Sequence, residues 1–419
     1  MANERKALIK EYGPLAGMRV LGSGSIVAMP TALGLLGDLG AEVINIERPG
    51  YGDSMRMLSP TSSKTGVSNG WMQEARNRMS MALELNCNIP EVKELFFELI
   101  KEVDVYMENM VWLDKLGIHD EELLEVNPKL VIVHISGFGR AEFGGEEGVI
   151  GRASFDMIGQ AFSGFMHLNG QPAPHEPQIT GPYTNDYVSA YMAAFGALAG
   201  YISAQKTGKG QVVDVSQFEA MARMLCDNFV SYTENGKVTT RSGNVNERFQ
   251  PYGLFEDKNG EFVTIGAFGK NVYLRFMDAA GLDAEKYTFE NAGNGVEAVM
   301  SAHGRALDRE IREWAASKTA KEIEEILNAK KVPASKVNTA EDAYKSEHFQ
   351  SRGDFIKYVD QTSGQEVEAF GIVPKFSATP GDVWRGAPTM GQDTETILKE
   401  LLNYDDAKIS SLREQGYIG

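Results

Sequence analysis

The sequence is short of cysteine, of positive charge and of long apolar runs, and each shortage excludes a class of protein. Two cysteines, Cys87 and Cys226, cannot build a disulfide framework or a four-ligand zinc site of the usual kind. Lys and Arg total 41 against 58 Asp and Glu, a net charge of −17, so the broad positive field that nucleic-acid coats and anionic-membrane binders need is missing. The longest mostly apolar stretch, Ala190 to Ala204, is shorter than the roughly 18–20 residues of a bilayer span. The leading MANERKALIKEYG has no apolar signal-peptide core. His119, His134, His167, His175, His303 and His348 show no metal-ligand spacing, and GxxxxGK[ST], HExxH, CxxC and GxSxG motifs are all absent. The expectation is a soluble, cytoplasmic protein with no metal, no nucleic-acid partner and no membrane partner.

What is present reads as an ordinary globular chain too long for one core, 42% hydrophobic and 24% charged over 419 residues. The first part alternates strand and helix signals. MRVLGSGSIV predicts a strand and its exit turn, Pro30 with Leu33, Leu36 and Leu39 predicts a helix ended by Gly40, and AEVINIE predicts a second strand. SMALEL, VDVYMEN and LVIVHISGFG read as further strands around the helix EVKELFFELIKEV, a pattern of doubly wound α/β architecture with a parallel sheet. VVDVSQFEAMARM reads as a strand leading into a helix. From residue 228 the signals change to a hairpin around Asn259–Gly260 and an amphipathic helical segment, so a large domain is placed at 1–227 and a smaller α+β domain at 228–335, with 336–419 following.

Few residues invite chemistry. GSGS at Gly22 to Ser25 lacks the third glycine of a dinucleotide fingerprint, since Val27 stands there. His134, inside VIVHIS, reads as a hydrogen-bonded core residue. Arg48, Arg56, Arg76, Arg78 and Lys115 fall near strand ends and could together hold several phosphate charges. Asp186 starts an Ala-rich helix and could be its N-cap. Tyr183 and Tyr187 would partly desolvate it, a condition under which a carboxylate can act as a nucleophile. Phe138, Phe162, Phe165, Tyr183 and Tyr187 could cage a quaternary ammonium group, line a flat apolar pocket, or be core.

Taken together, GPLAGMRVL, LGDLGAEVINIERPGYGDSMR, NPKLVIVHISGFG, QAFSGFMHLNG, TGKGQVVDVSQFEAM and PKFSATPGDVWRGAP resemble the successive motifs of the class III CoA-transferases, with the carnitine and bile-acid branch nearest. The resemblance runs from Gly13 to about Leu398. It implies a Rossmann-like large domain completed by the C-terminal part, an interlocked homodimer, and coenzyme A or acyl-CoA as co-substrate with a small carboxylic acid. It implies that Asp186 is the nucleophile, forming first a mixed anhydride and then an aspartyl-CoA thioester. Ser25, Ile26, Val27 and Ala28 match the loop at the CoA thiol end, although Ala28-Met29-Pro30 stands where relatives often have Ala-Gly-Pro. Arg48 and Arg56 match the ERPGxGDxxR motif, and Arg76, Asn77 and Arg78 match a segment near the nucleotide. The loop ENMVWLDKLGI departs from the family near Val111 and leaves Lys115 as phosphate partner. Gln250, closing NVNERFQ, matches the end of a glycine loop whose glycines are missing here. The α-methylacyl-CoA racemases resemble the chain overall but place a histidine before an aspartate where this chain has Phe155-Asp156, so one proton-transfer arm is absent. A CoA-binding protein without turnover is the other alternative.

Overall fold

The computed structural model describes residues 5–110 and 112–419. Six strands, β1 (Arg19–Ser23), β2 (Glu42–Glu47), β3 (Arg78–Ala82), β4 (Val105–Glu108), β5 (Val131–Ser136) and β6 (Gln211–Ser216), form one parallel sheet in the order β3-β2-β1-β4-β5-β6. The order reverses between β1 and β4, and the crevice beyond the C-terminal ends of those two strands is the topological switch point where α/β sheets bind ligands. β1 to β4 are buried throughout, as their apolar runs require of a sheet covered on both faces.

One face packs Leu21, Ile44, Met81 and Ile132 against Leu95, Phe96 and Leu99 of the helix Pro90–Lys101. Ile397 and Leu398 of the helix Thr394–Leu402, and Ile409 and Leu412 of the helix Asp406–Glu414, enter the same core. The other face packs Val20, Val43 and Val133 against Leu33 and Leu36 of the helix Ala28–Asp38 and Ala190, Ala193 and Ala197 of the helix Thr184–Thr207. Small residues let that second helix lie close: a Cβ at Gly200 would strike Val131. The helix extends beyond the apolar stretch read from the sequence, to 24 residues, and is by length and composition long enough to cross a membrane.

The chain divides into two compact units. The larger comprises 1–165, 180–227 and 351–419; the smaller comprises 166–179 and 228–350. The smaller unit thus includes a segment before residue 228 and runs past 335, where the sequence reading stopped it. Its sheet, β7 (Tyr252–Glu256), β8 (Phe262–Gly266) and β9 (Ala334–Lys336), is antiparallel in the order β7-β8-β9. The β7–β8 connection is not a two-residue Asn-Gly turn. Glu256 pairs with Phe262, and the Asp257 side chain accepts the N–H groups of Asn259 at 2.7 Å and Glu261 at 2.8 Å, which fixes a wider loop. The predicted helical segment is interrupted by a capping box at Thr319, giving helices Ala302–Ala316 and Ala320–Ala329.

Candidate active site

The helix Thr184–Thr207 begins after Tyr183, whose backbone is left-handed (φ 49°) and whose side chain caps nothing. Its first N–H groups therefore need an acceptor from elsewhere. Asp156, the first residue of the helix Asp156–Phe162, supplies it: Oδ1 accepts the N–H of Asn185 at 2.7 Å and of Asp186 at 3.2 Å. Gln160 Nε2 donates to the other oxygen of Asp156 at 2.6 Å. Asp186 is thus the third residue of its helix and not the cap, so its own carboxylate is free for another task.

That carboxylate is buried, with 9% of the residue exposed. Its Oδ1 accepts from Gln217 Nε2 at 2.6 Å, and Gln217 Oε1 in turn accepts from Ser154 Oγ at 2.8 Å, which fixes the amide's orientation. Gln217 opens the helix that leaves β6, so the sheet itself sets its place. Asp186 Oδ2 has no hydrogen-bond partner among the described residues. Burial first, and then the charge of Asp156, push the Asp186 carboxyl up to about 7, against the pull of the Gln217 bond. A carboxylate so desolvated is a stronger base and nucleophile than one in water. Gly159 makes the arrangement possible, because a Cβ there would collide with Asn185 Nδ2.

At the switch point, the loop leaving β1 carries Ser25, Ile26 and Val27 and runs into Ala28, the first residue of the helix Ala28–Asp38. Asn109, directly after β4, accepts the Ser25 N–H at 3.0 Å and donates to the Ser25 carbonyl at 3.0 Å. Ile26 is left-handed (φ 77°), a conformation that costs a β-branched residue roughly 1–3 kcal/mol. Its N–H goes to Asp53 Oδ1 at 2.9 Å. Ser25 and Ile26 are half-buried, while Val27 and Ala28 are buried. Tyr187, next in sequence to Asp186, packs with Ile26 against the cluster of Val27, Met55 and Trp71, so the first turn of the helix carrying Asp186 borders the loop.

The basic residues do not act as one cluster. Arg76 is buried on Asp38, with Nη2 to Oδ2 at 2.5 Å, and donates to the carbonyls of Phe370 and Gly371. Asn77 is buried between Asp38 and the Asp382 carbonyl. Arg78 lies inside β3, which starts two residues earlier than SMALEL suggests, and is fully buried with Nη2 on the Pro30 carbonyl at 2.5 Å. All three side chains are turned into the protein, and the Nε and Nη1 atoms of Arg78 have no hydrogen-bond partner among the described residues. Arg56 forks onto Glu47 at 2.8 and 2.7 Å and lies over the Trp71 ring. Arg48 and Lys115 keep exposed side chains. In the loop that departs from the family pattern, Val111 lies outside the described residues, and Leu113–Leu116 forms a single helical turn ended by left-handed Gly117. Gln250 lies in the smaller unit, buried, donating to the carbonyls of Ala292 and Gly304 at 2.8 Å each.

Of the five aromatic residues, Phe138 and Phe162 join Phe218 in one edge-to-face cluster. Phe138 and Phe162 meet edge to face at 4.9 Å, and Phe162 meets Phe218 at 5.3 Å. The Arg152 guanidinium already sits over the Phe138 ring at 5.4 Å. Phe162 and Tyr183 are largely exposed, and Phe165 and Tyr187 are half-buried. Tyr187 donates its hydroxyl to Glu74 at 3.0 Å.

The sequence model of CoA-transferase family III matches residues 15–394. The chain belongs to that family. It is 34% identical to the bile acid CoA-transferase BaiK of Clostridium scindens over 97% of this chain and 90% of the relative. It is 30% identical to the L-carnitine CoA-transferase of Proteus mirabilis, with 97% of each chain covered. It is also 30% identical to the succinyl-CoA–L-malate CoA-transferase beta subunit of Chloroflexus aurantiacus, over 97% of this chain and 98% of the relative. Among solved structures, a CAIB/BAIF family protein from Brucella suis superposes with a TM-score of 0.79 at 27% identity, covering 93% of this chain and 100% of the other.

Within this family III CoA-transferase, sequence reasoning missed the partners of Asp186 and of the loop after β1. Gln217 and Phe218 sit inside a quoted motif, but nothing in VVDVSQFEAM says which side chain meets an acid 31 residues earlier. In the sequence Asp156 stands out only as the neighbour of Phe155, which is exposed and brings no imidazole to the site. Asp53 belongs to ERPGYGDSMR, where the arginines drew attention. Asn109 carried no signal.

Proposed function

We propose that this chain moves CoA from an acyl-CoA to a free carboxylic acid through covalent intermediates on Asp186. The observation that carries the reading is the state of that carboxylate: buried, held at Oδ1 by Gln217, open at Oδ2, and raised to about 7. Oδ2 attacks the thioester carbonyl, the C–S bond breaks, and CoA leaves as thiolate with a mixed anhydride left on Asp186. The thiolate then attacks the aspartyl carbonyl, displacing the donor acid as its carboxylate and giving an aspartyl-CoA thioester. The acceptor carboxylate reverses both steps, leaving with CoA and restoring Asp186. The bonds exchanged are near-equal in energy, so what the site must supply is position and exclusion of water rather than a large driving force. Ser25 to Ala28 would receive the thiol end, and the exposed Arg48 and Lys115 the phosphates.

The acyl group is a bulky, largely apolar acid of the bile-acid kind rather than a betaine. Two things support this: similarity to a bile acid CoA-transferase, and the packing of Phe138, whose ring already has Arg152 over it and so is poorly placed to cage another cation. The working assembly is a homodimer, a reading supported by the exposed Tyr191, Phe195 and Ile202 on the helix of Asp186 and checked by light scattering.

The test is intact-mass spectrometry after mixing with bile-acid, carnitinyl, succinyl and short-chain acyl-CoAs, with hydroxylamine trapping, for the wild type and Asp186→Ala. An adduct on Asp186 that the variant lacks is expected, strongest with the apolar acyl-CoAs. Wild-type rates of CoA exchange in Asp186→Ala would overturn the mechanism, and adducts from carnitinyl-CoA alone would overturn the substrate class.

A further inference from the structure

The end of β1 and the loop after it look like a phosphate cradle in sequence, with Gly22, Ser23, Gly24 and Ser25 in a row. Its backbone is used differently. The Ser25 N–H and carbonyl are both taken by Asn109, and the Ile26 N–H is taken by Asp53. Backbone donors that would grip a phosphate are thus turned into the protein, and the half-buried side chains of Ser25 and Ile26 are what the loop offers. Gly24 allows this closeness, since a Cβ there would collide with Asn109 Oδ1.

Asp53 is an expensive way to fill its space. The residue is 1% exposed, and Oδ2 has no partner among the described residues. A buried carboxylate with an unsatisfied oxygen is costly, and an apolar residue of similar size would pack there with less penalty. The acid is itself held in place: its N–H donates to Glu47 Oε2 at 2.8 Å, and Glu47 is anchored by Arg56 and by Ser80 Oγ at 2.6 Å. Its Oδ1 accepts from Met55 at 2.8 Å as well as from Ile26. The bond from Met55 caps the short helix Ser54–Met57, and the bond from Ile26 keeps an acceptor beneath a residue whose backbone would otherwise relax out of the left-handed region.

We propose that Asp53 and Asn109 are positioning residues that hold Ser25–Ile26 in this turn, so that the loop presents a fixed apolar and hydroxyl surface to the pantetheine thiol end of CoA. The inference rests on the assignment of Ser25 to Ala28 to that end of CoA under the proposed function. Neither residue touches the ligand; both act through the loop.

The experiment is calorimetric binding of CoA and of adenosine 3′,5′-bisphosphate, which lacks the pantetheine arm, to the full chain and to Asp53→Ala, Asp53→Asn, Asn109→Ala, Ile26→Gly and the double variant Ile26→Gly/Asp53→Ala. Asp53→Ala should bind CoA about tenfold more weakly, the loss expected for a charge-assisted hydrogen bond. Binding of the bisphosphate should be unchanged. Asp53→Asn keeps an acceptor and should recover most of the affinity. Glycine is comfortable at positive φ, so Ile26→Gly should partly rescue Asp53→Ala, which a general loss of packing would not allow. Asn109→Ala should show the same selective loss and keeps the test decisive if Asp53→Ala does not fold. Equal weakening of both ligands, or wild-type CoA affinity in Asp53→Ala or in Asn109→Ala, would overturn the proposal. A wild type that binds neither ligand would instead overturn the assignment of the CoA site, and the proposal with it.

Discussion

The Oδ1 atom of Asp156 accepts the backbone N–H of Asp186 at 3.2 Å, while the charge on the same carboxylate pushes the Asp186 side chain toward its protonated form. One residue therefore both places the candidate nucleophile and raises its basicity. The two effects are separable. Asp156→Asn retains an acceptor for the helix N–H groups and removes the charge, though it disturbs the bond from Gln160.

The pH dependence follows from the sign of the shift. Asp186 must be ionised to attack, and its folded value is raised to about 7, so kcat/KM should climb about tenfold per pH unit below that value and level off above it. Asp156→Asn should move the midpoint to lower pH and lose about 1–3 kcal/mol of stability. A profile flat from pH 5 to 8 would refute the assignment of the titrating group.

Gln217→Ala removes the bond that draws the Asp186 carboxyl back down. The midpoint of the profile should rise, and activity at pH 7 should fall about tenfold or more, in line with loss of a hydrogen bond to a charged group. Much of that loss should be recovered at pH 8.5. A pH-independent loss would mean that Gln217 acts on geometry alone.

The basic residues divide into two classes that one pair of assays distinguishes. Arg76→Ala removes the charge partner of the buried Asp38, leaving it only the bond from Asn77, and should cost about 3–5 kcal/mol in denaturant unfolding. Arg48→Ala, at an exposed position, should leave unfolding unchanged within ~0.5 kcal/mol and raise KM for acyl-CoA a few-fold. Reversal of the two results would restore the reading of Arg76 as a nucleotide contact.

His134 gives a stability signature at alkaline pH. It lies between Glu108 at 2.5 Å and Asp120 at 2.9 Å. Burial pulls its pKa down, but the two carboxylates outweigh it and hold the folded value at about 9, above the ordinary 6.5. The proton is bound more tightly in the folded state, so the stabilisation is complete below about pH 6.5 and is lost as pH rises through about 9. Chemical unfolding from pH 6 to 10 should show that decline, and His134→Gln should flatten it.

Gly159→Ala tests the close approach beside the site. The added methyl has to displace Asn185 Nδ2, and the first turn of the helix carrying Asp186 moves with it. The expected result is a kcat reduced by about tenfold to a hundredfold with little change in KM for acyl-CoA, since a misplaced reacting group loses rate rather than binding. Unaltered kcat would show that Asp186 tolerates the shift.

The strands were legible because a parallel sheet covered on both faces writes continuous apolar runs, as LVIVHIS does for β5. Asp186 was legible as a candidate through its place at the start of an Ala-rich helix. Its partners were not, because Gln217 and Asp156 become neighbours only when β6 and two helices are assembled, and neither belongs to a local pattern. Arg76 and Arg78 were read outward for the same reason inverted. An arginine before or within a strand gives no sign that Asp38, or a carbonyl such as that of Pro30, waits to bury it.

The C-terminal helices lend the sheet a flank that no earlier part of the chain provides, and protein synthesis is directional. While a ribosome is still reading the smaller unit, Leu95, Phe96 and Leu99 have already emerged without Ile397, Leu398, Ile409 and Leu412 to pack beside them. The nascent polypeptide therefore carries a bare apolar surface for much of its elongation. It is at that stage, before the last helices arrive, that chaperone capture or aggregation competes with folding.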